Sequence, residues 1–205
     1  MSSQEPIFKH IKECDYQTVH NAMHEFTDSR NETTQDEIWF VEHSSIFTLG
    51  RSGNKSNLLQ SSHIPIVESD RGGDVTYHGP GQLVIYCLID LIRLNLGVKS
   101  LVSGLEDMVI TYLASHKIVG HRIEKAPGVY VDNTKLTSLG LRVRKGCSFH
   151  GLAINVDMDL TPFSYIHPCG LTNMQVVQLK QLGIHTSLNE VACEFQQLML
   201  DQFYR

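Results

Sequence analysis

Two side chains in this sequence are placed to do covalent chemistry. Cys169 lies in Ile166-His167-Pro168-Cys169-Gly170-Leu171, outside any periodic segment, where the proline and the glycine fix and expose the backbone. A thiol in such a loop can act as a nucleophile, although a free cysteine is also a common small core residue. Cys87 and Cys193 fit that core role, one in an apolar run and one in a helical pattern. Lys135 follows the turn Asp132-Asn133-Thr134 and opens Lys135-Leu136-Thr137-Ser138-Leu139-Gly140. Lysines at strand starts are usually solvated. Beside a thiol, however, an ammonium favours the thiolate and pulls the thiol below its free pKa of about 8.5. A desolvated lysine can also serve as a neutral base.

A second constellation is Arg71-Gly72-Gly73-Asp74-Val75-Thr76-Tyr77-His78-Gly79-Pro80-Gly81-Gln82. Glycine at this density weakens strands and helices, and chains accept that cost where backbone must pass close to a ligand or follow an unusual path. The block is neither Gly-x-Gly-x-x-Gly nor a phosphate loop ending in Gly-Lys-Ser/Thr, so it names no nucleotide. Among the 11 histidines, His20 and His24 are four apart on one helical face. His-Glu-x-x-His is absent and the sequence suggests no third ligand, so no metal is expected. His78 and His150 each adjoin a glycine, and each fits either a pocket or a hydrogen-bonded structural role.

The 205 residues suit one domain, 1–205, with 41% apolar residues and a net charge of −5. The acidic balance argues against nucleic acid, which needs concentrated Lys and Arg. No run approaches the roughly 20 apolar residues of a membrane span. Met1 to Glu13 is polar without a signal-peptide core, so a cytoplasmic location is expected. The five cysteines form no Cys-x-x-Cys pair, which suits a reducing compartment. Arg142 and Arg144 share a strand face, either simply solvated or a docking spot for an acidic protein.

Helical periodicity covers residues 15–27, with Tyr16, Val19, Met23 and Phe26 on one stripe, and residues 100–116. Short strands are predicted at 38–41, 45–49 and 64–68, and 83–89 reads as a strand buried on both faces. Extended runs at 128–132, 135–143 and 148–156 suggest an antiparallel meander. Thr172-x-x-Gln175 and Ser187-x-x-Glu190 are capping-box patterns that predict two closing helices. Strands in blocks with helices around them make this an α+β chain.

Taken together these segments resemble the octanoyltransferase (lipoyl/octanoyl transferase) family of lipoate biosynthesis. The match is carried by Arg71 to Gln82, by Gly128-Val129-Tyr130-Val131 with Lys135 to Gly140, and by Gly146 to Asn155 continuing through Pro162-Phe163 to Pro168-Cys169-Gly170. It runs from about residue 37 to about 182 in matching order and spacing. Asp74 and Thr137 depart from the commoner residues at their positions. The resemblance implies a mixed, largely antiparallel sheet flanked by helices, like the catalytic domain of biotin and lipoate protein ligases. It makes Cys169 the acyl-carrying cysteine and Lys135 the lysine that lowers its pKa. Its substrate-binding segments fall on Arg71, Gly72, Gly73, Asp74, Val75, Thr76, Tyr77 and His78, on Ser138, Leu139 and Gly140, and on Gly151, Leu152 and Ala153.

The reaction so implied moves octanoyl from acyl carrier protein onto Cys169 and then onto a lysine of a lipoyl domain. Acceptors would be the lipoyl domains of 2-oxoacid dehydrogenase complexes and the glycine cleavage H protein. Thioester to amide is downhill, so no ATP or other cofactor is expected. An ATP-dependent lipoate or biotin ligase is the alternative, against which stands the lack of a glycine-rich, multiply basic adenylate loop. A non-catalytic binding module of the same fold is a third reading. The glycines at 72, 73, 79, 81, 140 and 151 are expected to let an acyl chain lie against backbone.

Overall fold

The computed structural model describes residues 4–60, 62–168 and 174–205. Its main layer is a five-stranded sheet in the order β1-β2-β6-β11-β10, built from β1 (Ile7–Cys14), β2 (Glu37–His43), β6 (Gln82–Leu88), β10 (Thr137–Arg144) and β11 (Cys147–Asn155). β1 runs parallel to β2, and the other pairs are antiparallel. The apolar run at β6 is buried on both faces, as its composition predicts. Leu83, Ile85 and Cys87 pack beneath α2 (Val98–Ser115) and α3 (Leu188–Phe203), while Val84, Tyr86 and Leu88 pack toward α1 (Tyr16–Ser29). Period-two alternation thus splits one strand between two cores.

The helices start where local chemistry dictates. Asp15 caps α1 by accepting from the Thr18 amide at 2.9 Å. Ser187 and Glu190 form the predicted capping box at α3. The helix expected from Thr172 is not there in the described residues. Gln175–Val176 form β12 instead, followed by a 3-10 turn at Leu179–Leu182 whose own box is Gln178 with Gln181. Thr172 itself lies outside the described residues. A neighbouring strand wins over the local signal here: β12 pairs in parallel with β9 (Thr134–Lys135), placing Val176 opposite Lys135.

The expected meander is divided between sheets. β9 pairs with β8 (Ala126–Val131), and both belong with β12 and β7 (Gly120–Ile123) to a four-stranded sheet. After Leu136 the chain enters the main sheet as β10 and returns as β11. Asp132 and Lys145 make the two turns with positive φ, 50° and 52°. A third sheet, β4-β3-β5, comprises β4 (Ile66–Glu68), β3 (Ile46–Leu49) and β5 (Val75–His78). β1, β7 and β12 had no prediction, and β5 lay hidden in the glycine-rich block. Cys193, read as a core thiol, is exposed on α3, whereas Cys87 is fully buried.

Candidate active site

The glycine-rich block folds as a loop clamped by its own arginine. Arg71 is buried, and its guanidinium donates to Thr48 O (2.7 Å), Thr48 Oγ1, Gly72 O and Asp74 O (2.7 Å). A planar fork with five donors suits this gathering of backbone carbonyls. The Gly72 amide donates to Leu141 O at 2.9 Å, so the loop rests on β10. Asp74 in turn accepts from Asn57 Nδ2 at 2.6 Å and from the Val75 amide at 2.6 Å. The carboxylate at this position therefore ties the loop to residues 54–57 rather than standing loose at a pocket edge.

Between this loop, β5, β10 and β11 lies a narrow, mostly apolar slot, partly open to solvent, with a cavity volume of about 40 Å³. The structure brings Arg71, Gly73, Asp74, Thr76 and His78 into its walls from the block, Ser138, Leu139 and Gly140 from β10, and Gly151, Leu152 and Ala153 from β11. It does not bring Val75 or Tyr77. These alternate to the other side of β5 and pack with Phe47 and Phe163 in a separate core. Gly72 lines a wider groove of about 420 Å³ that shares Gly73, Asp74, Leu139 and Gly140 with the slot as a common wall. Nor do Gly140 and Gly151 stand open for a ligand. A Cβ on Gly151 would sit 1.9 Å from Ile85 O, and one on Gly140 2.6 Å from Gly72 O. Their bare backbone is taken up by the protein's own packing.

Lys135 is almost completely buried at 1% exposure. Its ammonium donates to Pro127 O at 3.0 Å and lies 5.2 Å from the centre of the Tyr130 ring. Gly128 makes room for it: a Cβ there would come within 3.0 Å of Lys135 Cε, and its φ of 130° excludes most side chains. Gly128 is held from behind, its amide donating to Glu106 Oε1 (2.9 Å), while Arg122 Nε holds Glu106 Oε2 (2.7 Å). Pro127 belongs to the groove wall, which places the ammonium just behind that wall. Burial of a cation with paired contacts is the opposite of the solvated lysine usual at strand starts. Cys169, the other group singled out by the sequence, lies outside the described residues, as does Gly170.

Four rings complete the slot: His78 and His150, which the sequence offered as pocket or structural histidines, and Tyr16 and Tyr86, which it did not single out. Their polar atoms turn to the protein. Tyr16 OH bonds Ser69 Oγ at 2.7 Å, and His78 Nδ1 donates to Gln82 Oε1 at 2.7 Å. His43 Nδ1 faces Cys14 O, so its Nε2 accepts from Tyr86 OH at 2.8 Å. His150 Nε2 donates to Asp70 Oδ1 at 2.8 Å. A left-handed backbone at His150, φ 59°, sets it and its neighbour Phe149 both against α1 rings, where a regular strand would send them apart. Tyr16 was legible only as one member of the α1 stripe, and Tyr86 only as part of an apolar strand.

Burial keeps these histidines neutral. That of His78 lowers its pKa from 6.5 to about 3, helped by His43, Arg71 and His150 and opposed by the Gln82 bond. Burial also lowers His43, and lowers His150 to about 4. A depressed histidine leaves the unfolded chain binding the extra proton, so stability is full above pH 6.5 and drains away as pH falls toward 3. The expected slope is up to about 1.4 kcal/mol per pH unit for each such histidine. Urea midpoints taken at stepwise lower pH should decline accordingly, and His78→Gln should flatten the decline. An unchanged slope in that variant would place the effect elsewhere.

Residues 15–202 match the family model for the lipoyl protein ligase A/B catalytic domain. The chain belongs to that family. Within the lipoyl protein ligase A/B family its curated relatives include the octanoyltransferase of Shewanella pealeana, 48% identical over 95% of this chain and 91% of the relative. The octanoyltransferase of Vibrio vulnificus strain CMCP6 is 55% identical over 86% of this chain and 81% of its own. Among solved structures, the bipartite lipoate protein ligase of Thermoplasma acidophilum superposes with a TM-score of 0.74 at 15% identity, covering 97% of this chain and 84% of that one. The biotin protein ligase of Aquifex aeolicus, with biotin and ATP, gives 0.57 at 11% identity, over 98% and 70%. The α+β fold expected from the sequence is therefore the fold of this family, with antiparallel pairing prevailing over the parallel pairs of β1-β2, β3-β4 and β9-β12. Among the described residues no helix is long and apolar enough to cross a membrane.

Proposed function

We propose that this chain, acting as one catalytic domain, transfers an octanoyl group from octanoyl-acyl carrier protein to a lysine of lipoyl domains by way of a thioester on Cys169. Octanoyl transfer in protein lipoylation is the activity that goes with octanoyltransferase relatives near half identity over almost the whole chain. The structural observation that carries the reading is the buried ammonium of Lys135 behind a groove that shares a wall with an apolar slot. The Cys169 thiolate attacks the donor thioester carbon, and the carrier sulfur leaves as a thiol by taking the proton of Lys135, which is then neutral for the second step. The acceptor ε-amine then attacks the acyl-cysteine, loses a proton to Lys135, and expels the Cys169 thiolate as the amide forms. Splitting the transfer in two is the usual gain of covalent catalysis. In the first step a protonated Lys135 stabilises the thiolate; once that charge is consumed, the same amine can serve as base.

The slot between β5, β10 and β11 takes the acyl chain, each buried methylene contributing about 0.8 kcal/mol. One methylene more or less therefore discriminates only about 10–200-fold. The acceptors are lipoyl domains of 2-oxoacid dehydrogenase complexes and the glycine cleavage H protein, encountered in the cytoplasm. Arg142 and Arg144, weighed above as a docking spot for an acidic carrier, turn their guanidinium groups onto Asp70 (3.7 Å) and Asp28 (3.1 Å). Arg144 is thus ion-paired within the chain, while Arg142 Nε stands near Asp70 without a hydrogen bond to it.

The test is intact mass after exposure to octanoyl-carrier protein without ATP. An octanoyl adduct on the wild type, cleaved by hydroxylamine and missing from Cys169→Ser, is the expected result. No adduct, together with ATP–pyrophosphate exchange driven by free octanoate or lipoate, would turn the assignment to a ligase, as its structural neighbours are named.

A further inference from the structure

The face of the slot wall turned toward α1 carries a cluster that acyl transfer does not use. His20 and His24, one helical turn apart, both aim Nε2 at the carboxylate of Asp70, which immediately precedes the Arg71 clamp. His20 Nε2 lies 3.2 Å from Asp70 Oδ1 and His24 Nε2 lies 3.5 Å from Asp70 Oδ2. All three ligand atoms fall within 4.8 Å of one another. The His24 nitrogen is shielded from solvent and makes no hydrogen bond among the described residues. A tetrahedral ion with ligands at about 2.0–2.2 Å separates them by roughly 3.3–3.6 Å; the 3.2 Å and 3.5 Å spacings here run to different oxygens of Asp70, so a small turn of the carboxylate presents one oxygen to both imidazoles.

From this arrangement we propose that His20, His24 and Asp70 bind a divalent cation of borderline softness, Zn²⁺ by its chemistry. Two imidazoles and one carboxylate are a donor set for Zn²⁺ rather than for Mg²⁺ or Ca²⁺, which take oxygen. Each imidazole binds through a neutral Nε2, its proton resting on Nδ1. The side chains are 16%, 29% and 32% exposed, so an ion can enter and a water can take the fourth position. His150 Nε2, 2.8 Å from Asp70 Oδ1, supplies the outer hydrogen bond that fixes a ligating carboxylate. The ion would bolt α1 to the segment that enters the slot loop. The sequence showed the His20–His24 pair but not its third ligand, which comes from 46 residues beyond His24 and meets α1 only through the fold.

One neighbour works against the ion. Arg142 Nε stands 3.7 Å from Asp70 Oδ2 and competes for the same carboxylate. That opposition gives the proposal a signature that a casual surface site would lack. The experiment is equilibrium dialysis against ZnCl2, with Co²⁺ as a spectroscopic probe, on the full chain in a Cys169→Ser background so that this thiolate does not compete. One ion per chain is expected, with tetrahedral Co²⁺ bands free of thiolate charge transfer and a melting temperature raised by Zn²⁺. Removing a metal's outer-shell partner typically costs about 10–100-fold in affinity, and His20→Gln or His24→Gln should cost at least that. Arg142→Gln should tighten binding several-fold. No bound ion, an ion held equally well by both histidine variants, or a thiolate band would each overturn the proposal. Should His24→Gln fail to fold, His20→Gln and Arg142→Gln still decide it.

Discussion

Lys135→Met is expected to slow acylation of Cys169 by about 100- to 10,000-fold, the range set by a positioned proton-transfer group, while the fold stays intact. Methionine has nearly the length of lysine and no charge. Its introduction removes a cation that is 1% exposed and so costly to bury. Against that relief stands Pro127 O, which loses its partner at 3.0 Å; an unpaired buried acceptor costs about 1–3 kcal/mol. The two effects oppose each other, so the melting temperature should move little while the rate collapses. Lys135→Arg should not rescue. A planar guanidinium is larger than the compact ammonium held between Pro127 O and the Tyr130 ring, and arginine cannot act as a neutral base. Single-turnover acylation against octanoyl-carrier protein, read with thermal unfolding, separates the outcomes. A rate within several-fold of wild type would make Lys135 a structural cation.

Those expectations rest on features of unequal visibility in the sequence. The core strands β2, β6 and β11 were legible because their apolar runs are long and punctuated, and α1, α2 and α3 because periodicity or capping chemistry marks them. β1 was not, since Ile7–Cys14 is an edge strand with a charged outer face and reads as a polar terminus. β12 lost to a helix signal because its pairing with β9 is a long-range fact. In the site, the glycine-rich block announced itself, but its division of labour did not. A period of two within Val75–His78 sends Thr76 and His78 to the slot and Val75 and Tyr77 to the core, and recognising that requires first seeing a strand there. Asp70, Glu106 and Thr48 escaped notice because each acts by holding another residue across the fold, with nothing local to betray it.

The glycines carry the remaining large effect, and their reading is the one the structure changed most. Gly151→Ala is expected to destabilise the protein by about 4 kcal/mol or more, a size that marks a named structural clash. The added methyl would sit 1.9 Å from Ile85 O, at the Gly151–Tyr86 end of the β6–β11 ladder. Nothing there can yield cheaply. Ile85 is fully buried, and β10 closes the other side of β11, with Gly140 directly opposite Gly151. Relief requires β6 and β11 to part, which breaks ladder hydrogen bonds and carries Tyr86, the partner of Gly151 in register, away from the slot. Transfer should therefore fall together with stability. Ala153→Gly is the control: it lines the same slot two residues on, and glycine within a strand costs only about 0.5–1 kcal/mol. Urea unfolding of the two variants tests the idea. If Gly151→Ala keeps wild-type stability but rejects the octanoyl chain, the bare backbone at 151 serves the ligand; if it unfolds early, that backbone serves the sheet, and the slot is apolar because of the side chains around it.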